Sequence, residues 1–171
     1  MIRSDKKLDE LSKVLKGGRH NEIEEMVGHL RDAEPFEGAV KMLAHFYDRT
    51  ADDSLRLTIS GFFNDLKEKT ACHEVIEAIT SVDSPATRAM LASSCWQSGL
   101  DYSEYAVDLA DIYIAGDYVT SLECFTVLDT CSGLISTEDK DLIIRRMKNE
   151  IDTYEQAKQQ LTKELISILT E

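Results

Sequence analysis

The chain has 171 residues and a net charge of −13, and 43% of its side chains are hydrophobic. This length fits one domain with a sizeable core, and this hydrophobic content excludes a disordered chain. The charged start MIRSDKKLDEL lacks the apolar run of a signal peptide, and no window approaches the roughly 18 apolar residues of a membrane span. We therefore expect a cytoplasmic globular protein that does not enter a membrane.

Apolar residues recur at intervals of three and four along most of the chain, which is the pattern of amphipathic helices. Only two prolines and eight glycines interrupt it, which favours helices over a turn-rich β fold. In chain order, the predicted helices cover 5–16, 21–31, a segment opened by Pro35, a segment capped by Asp52, a short segment from Thr70 to Ile79, and then 84–98, 101–115 and 117–131. No strand-like alternation remains, so the sequence predicts an all-α fold.

Two of these helix starts carry specific signals. Ser84 can accept a hydrogen bond from a free backbone amide, and Pro85 at the first helical position removes no helical bond. Asp101 followed by Glu104 resembles a capping box, which predicts that the next helix opens at residue 101.

The starts of alternate helices are evenly spaced along the chain. Asn21, Asp52, Ser84 and Asp117 follow one another at intervals of 31, 32 and 33 residues. An offset of 32 also aligns four small residues, which would let neighbouring helices approach closely: Gly28, Ser60, Ala92 and Cys124. A repeat of about 30 to 40 residues built from helix pairs is typical of an α-solenoid.

Two of the repeat starts share a short pattern. The stretches DDSLRLTIS (52–60) and DSPATRAMLA (83–92) each place a capping residue before an arginine, with an apolar residue three positions on and a small residue four positions on. This pattern resembles HEAT-like helical repeats, and the resemblance covers roughly residues 20–131. It implies a right-handed α-α superhelix of about four helix pairs over residues 1–135.

The same resemblance implies a structural role for two acid–arginine pairs. In HEAT-like proteins such pairs tie adjacent repeats together, so Asp52 with Arg56 and Asp83 with Arg88 are the expected ties. The first copy has Glu24 and the fourth has Thr120 where the arginine would stand, and we expect the series to break at both ends. A role for the arginines in catalysis or ligand binding is the alternative.

The C-terminal segment 136–171 predicts one long helix in the same domain. No glycine or proline follows Gly133, and a helix over 136–170 would be about 50 Å long. Its apolar residues alternate at intervals of three and four, which is the pattern of a coiled-coil seam. The seam comprises Ile144, Met147, Ile151, Tyr154, Leu161, Leu165 and Ile168, with Lys158 in the same register. The helix could cap the repeats, or it could pair with a second copy in a homodimer.

Acidic charge is concentrated in the middle of the chain. Between residues 70 and 135, Arg88 is the only basic residue against ten acids. Such a surface repels phosphate backbones and anionic membranes, which disfavours direct nucleic-acid and membrane ligands. A basic protein or peptide is the expected partner.

Four of these acids are candidate partner-binding residues. Asp101, Glu104, Asp108 and Asp111 follow at intervals of three, four and three, which would place them on one stripe of the predicted 101–115 helix. Such a stripe is either a solvated face or a docking strip for lysine and arginine side chains.

No motif for catalysis or for cofactor binding is present. The chain contains no Walker loop, dinucleotide fingerprint, GxSxG elbow or HExxH helix. Its histidine–carboxylate neighbours supply only two ligands each, so no metal site is predicted. The four cysteines lack CxxC spacing and are expected to be buried free thiols.

The leading hypothesis is a non-catalytic interaction or scaffold module that docks a basic protein or peptide and uses no cofactor. One alternative is an inhibitor or immunity-type protein that occludes a basic enzyme. Another is a HEAT-like enzyme acting on nucleic acid, which the acidity of the chain disfavours.

Overall fold

The computed structural model describes residues 4–33 and 36–171, and these ranges contain helices and turns but no β-strand. The all-α prediction is confirmed. The helices are α1 (Asp5–Gly17), α2 (His20–Asp32), α3 (Ala39–Arg49), α4 (Asp53–Asn64), α5 (Cys72–Ser81), α6 (Pro85–Gln97), α7 (Ala106–Ala115), α8 (Tyr118–Cys131), α9 (Thr137–Glu150) and α10 (Gln156–Thr170). Pro35, which was expected to open the third helix, lies outside the described residues.

Side-chain caps explain where several helices begin. The side chains of Ser4, Asp52, Asp117 and Ser136 each accept a hydrogen bond from a backbone amide of the following turn. Each cap satisfies an amide that has no partner inside its helix.

The helix predicted to open at residue 101 begins later, at Ala106. The Asp101 carboxylate accepts from the backbone amide of Ser103 at 2.9 Å, and Ser103–Tyr105 forms a 3-10 turn. A bond from an acidic side chain to the amide two residues on favours a turn over a first helical turn. The capping-box prediction at Asp101 is therefore wrong.

The helices stack in two rows. The first row runs α1, α3, α5, α7, α9, the second runs α2, α4, α6, α8, α10, and each helix also packs on its partner in the other row. The core lies between the rows. Ile59, Leu91 and Cys124 each lie seven residues after the cap of their helix, and all three are fully buried.

The alignment of four small residues does not describe one shared environment. Ala92 and Cys124 are buried, whereas Gly28 and Ser60 are partly exposed. A Cβ atom added at Gly28 would meet nothing within 4 Å, so no close helix approach requires a glycine there.

The prediction of a single helix over 136–170 is wrong. After α9, Ile151–Thr153 forms a 3-10 turn and Tyr154 has extended backbone angles, so the chain reverses before α10. α9 packs on α7, and α10 packs on α8. Both halves bury their apolar side against the rows, and this tertiary packing outweighs the continuous helical pattern of the sequence.

The predicted seam is divided by this reversal. Met147, Leu161 and Leu165 are buried within their own chain. Ile144, Ile151, Tyr154 and Ile168 are partly exposed.

Lys158, which shares the register of the seam, anchors α10 to the end of α7. Its Nζ donates to the carbonyls of Ile114 at 3.1 Å and Gly116 at 2.8 Å, and it lies 4.4 Å from the centre of the Tyr154 ring. Burial lowers the pKa of this ammonium group. A cation at a helix C-terminus is favourable because the last carbonyls have no helical partner.

Candidate interaction surface

Arg56 and Arg88 occupy equivalent positions near the starts of α4 and α6. The Nε of Arg56 donates to the Thr50 carbonyl at 2.8 Å, and Arg88 donates through Nε and Nη2 to the Val82 carbonyl at 3.2 and 3.0 Å. In both cases the acceptor lies six residues upstream, at the end of the preceding helix. Each arginine therefore joins the two helices of one pair, whereas the resemblance implied a tie between adjacent pairs.

Ties between adjacent pairs come from carboxylates that form no ion pair with these arginines. Asp52 lies 2.8 Å from Nδ1 of His20 in the preceding pair, and this hydrogen bond raises the pKa of His20. The side chain of Asp48 on α3 accepts from the backbone amides of Asp83 at 3.0 Å and Ser84 at 3.2 Å. Asp83 thus contributes its backbone to the tie, and Asp48, which the sequence analysis missed, contributes the side chain.

Hydrogen bonding controls the ionisation of Asp48. Burial alone would raise the pKa of this carboxyl group, but bonds from Thr87, Asp83 and Ser84 outweigh it and lower the pKa. Asp48 therefore stays charged, and it caps α6 from another helix.

The four acids of the predicted stripe do not share one environment. The Nζ of Lys69 lies 3.0 Å from Glu104 and 3.8 Å from Asp101, and hydrogen bonding to Ser103 lowers the pKa of Asp101. Arg146 Nη1 donates to both carboxylate oxygens of Asp111, at 2.5 and 2.6 Å.

Asp108 is the member of the stripe that keeps an unpaired charge. It is exposed, and no cation lies within 4 Å of it in the described part of the chain. Three of the four acids are paired with cations of their own chain, so the stripe is not a uniform docking strip.

A groove of about 550 Å³ opens between α5 and α7. We call it the α5–α7 groove. Its apolar walls are formed by Ile76 and Ile79 on one side and by Ile112 and Ala115 on the other. A volume of this size is within the range of pockets that enclose a small ligand.

Acidic side chains line both walls of the α5–α7 groove. Glu77 lies on α5, and Asp108 and Asp111 lie on α7. Lys41 of α3 lies 3.5 Å from Glu77, and Arg146 of α9 binds Asp111, so these two cations come from the helices on either side. Within the described ranges, no hydrogen bond or ion pair joins α5 directly to α7.

The second row closes the α5–α7 groove from below through Arg88 of α6 and Thr120 of α8. Arg88 uses Nε and Nη2 to hold the Val82 carbonyl. Arg88 lines the groove, and its Nη1 makes no hydrogen bond to any described residue. At the mouth, the rings of His73 and Tyr105 stack with centroids 6.2 Å apart.

The cysteines are buried and unpaired, as the sequence predicted. Burial raises the pKa of the Cys95 thiol and raises that of Cys124 to about 12. Because the thiolate is the reactive form, these side chains are inert near neutral pH. The described residues contain no cluster of three or more metal-ligating side chains and no helix long and apolar enough to cross a membrane.

The sequence pattern of the stripe does not reveal the cations that pair with it. Lys69 and Arg146 each lie about one repeat away in sequence from the acid they bind. The separations are 35 residues for Lys69 with Glu104 and 35 for Arg146 with Asp111. A search for cations one repeat away would have found both.

Comparison of the chain with protein-family models, curated proteins and solved structures finds no match.

Proposed function

We propose that this protein is a non-catalytic interaction or scaffold module, built as a right-handed superhelix of HEAT-like helix pairs, whose acidic middle docks a basic protein or peptide. The two-row packing supports the architecture. Each helix contacts the other helix of its pair and the helices two positions away, with α3 on α6 as a longer-range contact. Contacts that stay close in sequence are typical of solenoid repeats.

The charge left over after internal pairing is the observation that carries the proposal. Of the ten acids between residues 70 and 135, six have no cation within 4 Å in the described ranges: Glu74, Asp83, Asp108, Asp117, Glu123 and Asp129. Arg88 is the only lysine or arginine in this stretch, and its guanidinium holds a backbone carbonyl. The region therefore retains a negative field that attracts a cationic partner.

Homodimerisation through the C-terminal seam is not part of this proposal. Met147, Leu161 and Leu165 are buried against their own chain, so the seam no longer offers a continuous apolar face to a second copy.

The experiment that tests the proposal is a binding titration with model peptides. Fluorescence anisotropy would compare a capped peptide of lysine and alanine with the same peptide carrying glutamate in place of lysine. We expect the lysine peptide to bind about ten-fold or more tightly at low salt, and to be released near 1 M salt, where the Debye length is about 3 Å. Equal binding of the two peptides would contradict the proposal, and tight binding of duplex DNA would favour the nucleic-acid enzyme.

A further inference from the structure

We infer that the α5–α7 groove is the seat for one lysine or arginine of the basic partner, presented on a peptide segment whose main chain reaches Arg88. This inference rests on the proposed function and adds to it a place and a binding mode. It requires a protein segment as the occupant, because the groove offers apolar walls and a hydrogen-bond donor as well as negative charge.

Charge complementarity is the first step. Asp108 projects its unpaired carboxylate at the groove, with Asp111 on the same wall and Glu77 on the other. A cation placed between these walls would interact favourably with acids on both sides. It would also relieve the repulsion between them, to which Lys41 and Arg146 respond from the neighbouring helices and His73 responds at 3.5 Å from Glu77.

The apolar walls are the second step. Ile76 and Ile79 on α5 lie across the groove from Ile112 and Ala115 on α7. Lysine and arginine side chains pack their aliphatic stems on such surfaces while the charged end stays at a polar rim. A small inorganic cation would gain nothing from these walls, whereas a side chain would bury apolar surface against them.

Arg88 at the floor is the third step, and it fixes the direction of the segment. Its free Nη1 is suited to donate to a main-chain carbonyl of the partner. The same guanidinium repels a cation, so the charged end of the occupant is held at the rim near Asp108. The groove thus favours a carbonyl inside and a cation outside.

The test compares variants of the full-length chain in the titration with the capped lysine–alanine peptide. Asp108→Asn removes the unpaired charge of the groove, and Asp129→Asn removes an exposed charge of α8 that does not line it. We expect Asp108→Asn to weaken binding about five-fold and Asp129→Asn to leave it within about two-fold. Ala115→Trp fills the groove without changing charge, and we expect it to weaken binding about ten-fold.

The outcomes separate this inference from the proposed function. If the wild-type chain binds the lysine peptide but Asp108→Asn and Asp129→Asn weaken it equally, binding is spread over the acidic surface and the groove inference is overturned. If the wild-type chain does not bind the peptide at all, the proposed function fails. Circular dichroism and thermal unfolding identify a misfolded Ala115→Trp, in which case the two aspartate variants decide.

Discussion

The α3–α5 contact and the α5–α7 contact join helices of the same row. The first is closed, because polar side chains bridge the two helices, and the second is open, because it holds the α5–α7 groove. Across the first, Lys41 lies 3.5 Å from Glu77, and Asp48 of α3 holds the amides that follow α5. Across the second, acids line both walls and no hydrogen bond joins the two helices among the described residues. Of these two contacts, the one bridged by polar side chains is closed, and the one lined by acids on both walls holds a groove.

Among substitutions at the closed contact, Asp48→Asn should lower the free energy of unfolding most. This change weakens two hydrogen bonds to backbone amides and the interhelical cap of α6, so we expect a loss of about 2 kcal/mol in the free energy of unfolding. Urea denaturation measures it. Asp83→Asn is the matched control, because Asp83 contributes its backbone amide rather than its side chain. Equal losses for both variants would contradict the role given to Asp48.

The pH dependence of the Asp48 effect has a defined sign. The folded structure lowers the pKa of this carboxyl group. Its contribution to stability is therefore present above the unfolded pKa of about 3.9 and is lost as the pH falls through the folded pKa. The difference in unfolding free energy between wild type and Asp48→Asn should therefore shrink in acid. A difference that stays constant from neutral pH to strong acid would show that the charge of Asp48 is not involved.

Gly38→Ala should cause the next largest loss of stability. Gly38 has φ of 89°, its amide donates to Glu74 of α5 at 2.6 Å, and an added Cβ would approach Leu8 at 3.0 Å. A side chain in this left-handed conformation costs about 1–2 kcal/mol. Thermal unfolding measures the loss of stability in Gly38→Ala. Gly133→Ala is the control, because a Cβ at Gly133 would meet nothing within 4 Å. A Gly38→Ala protein as stable as wild type would contradict the assigned strain.

Removing exposed charges should change stability least. The change should have opposite signs at the α3–α5 contact and at the α5–α7 groove. Lys41→Ala removes an exposed ion pair of the closed contact and should cost about 0.5 kcal/mol or less. Asp108→Asn removes an acid from the open groove, and it should leave stability unchanged or raise it by a similar amount. A clear destabilisation by Asp108→Asn in urea would show that Asp108 has a structural partner.

The sequence predicts the local structure well where the signal lies in neighbouring residues. The caps at Asp52 and Asp117 and the proline at the first position of α6 place α4, α8 and α6 correctly, because a helix start depends on a few adjacent residues. The capping bond predicted for the Ser84 side chain is absent, and Asp48 caps α6 in its place. The turn at Ile151–Thr153 has no glycine or proline to mark it, so the apolar pattern continues through the reversal.

The candidate site was harder to predict than the fold. Its acids are visible in the sequence, but their partners Lys69 and Arg146 depend on how one helix pair stacks on the next. Lys158 shows the same dependence. Its register in the predicted seam does not identify its partner, whereas the reversal of the chain brings it to the end of α7. To predict such long-range pairing, one must know how each helix pair is aligned on the next. The periodicity of apolar residues in the sequence does not give this alignment.

Hydrogen–deuterium exchange with and without the lysine–alanine peptide tests most directly whether the open contact is the binding site. We expect the peptide to slow the exchange of backbone amides in α5 and α7 and to leave exchange in α1 and α3 unchanged. Slower exchange spread evenly over the helices, or confined to α4, α6 and α8, would contradict it.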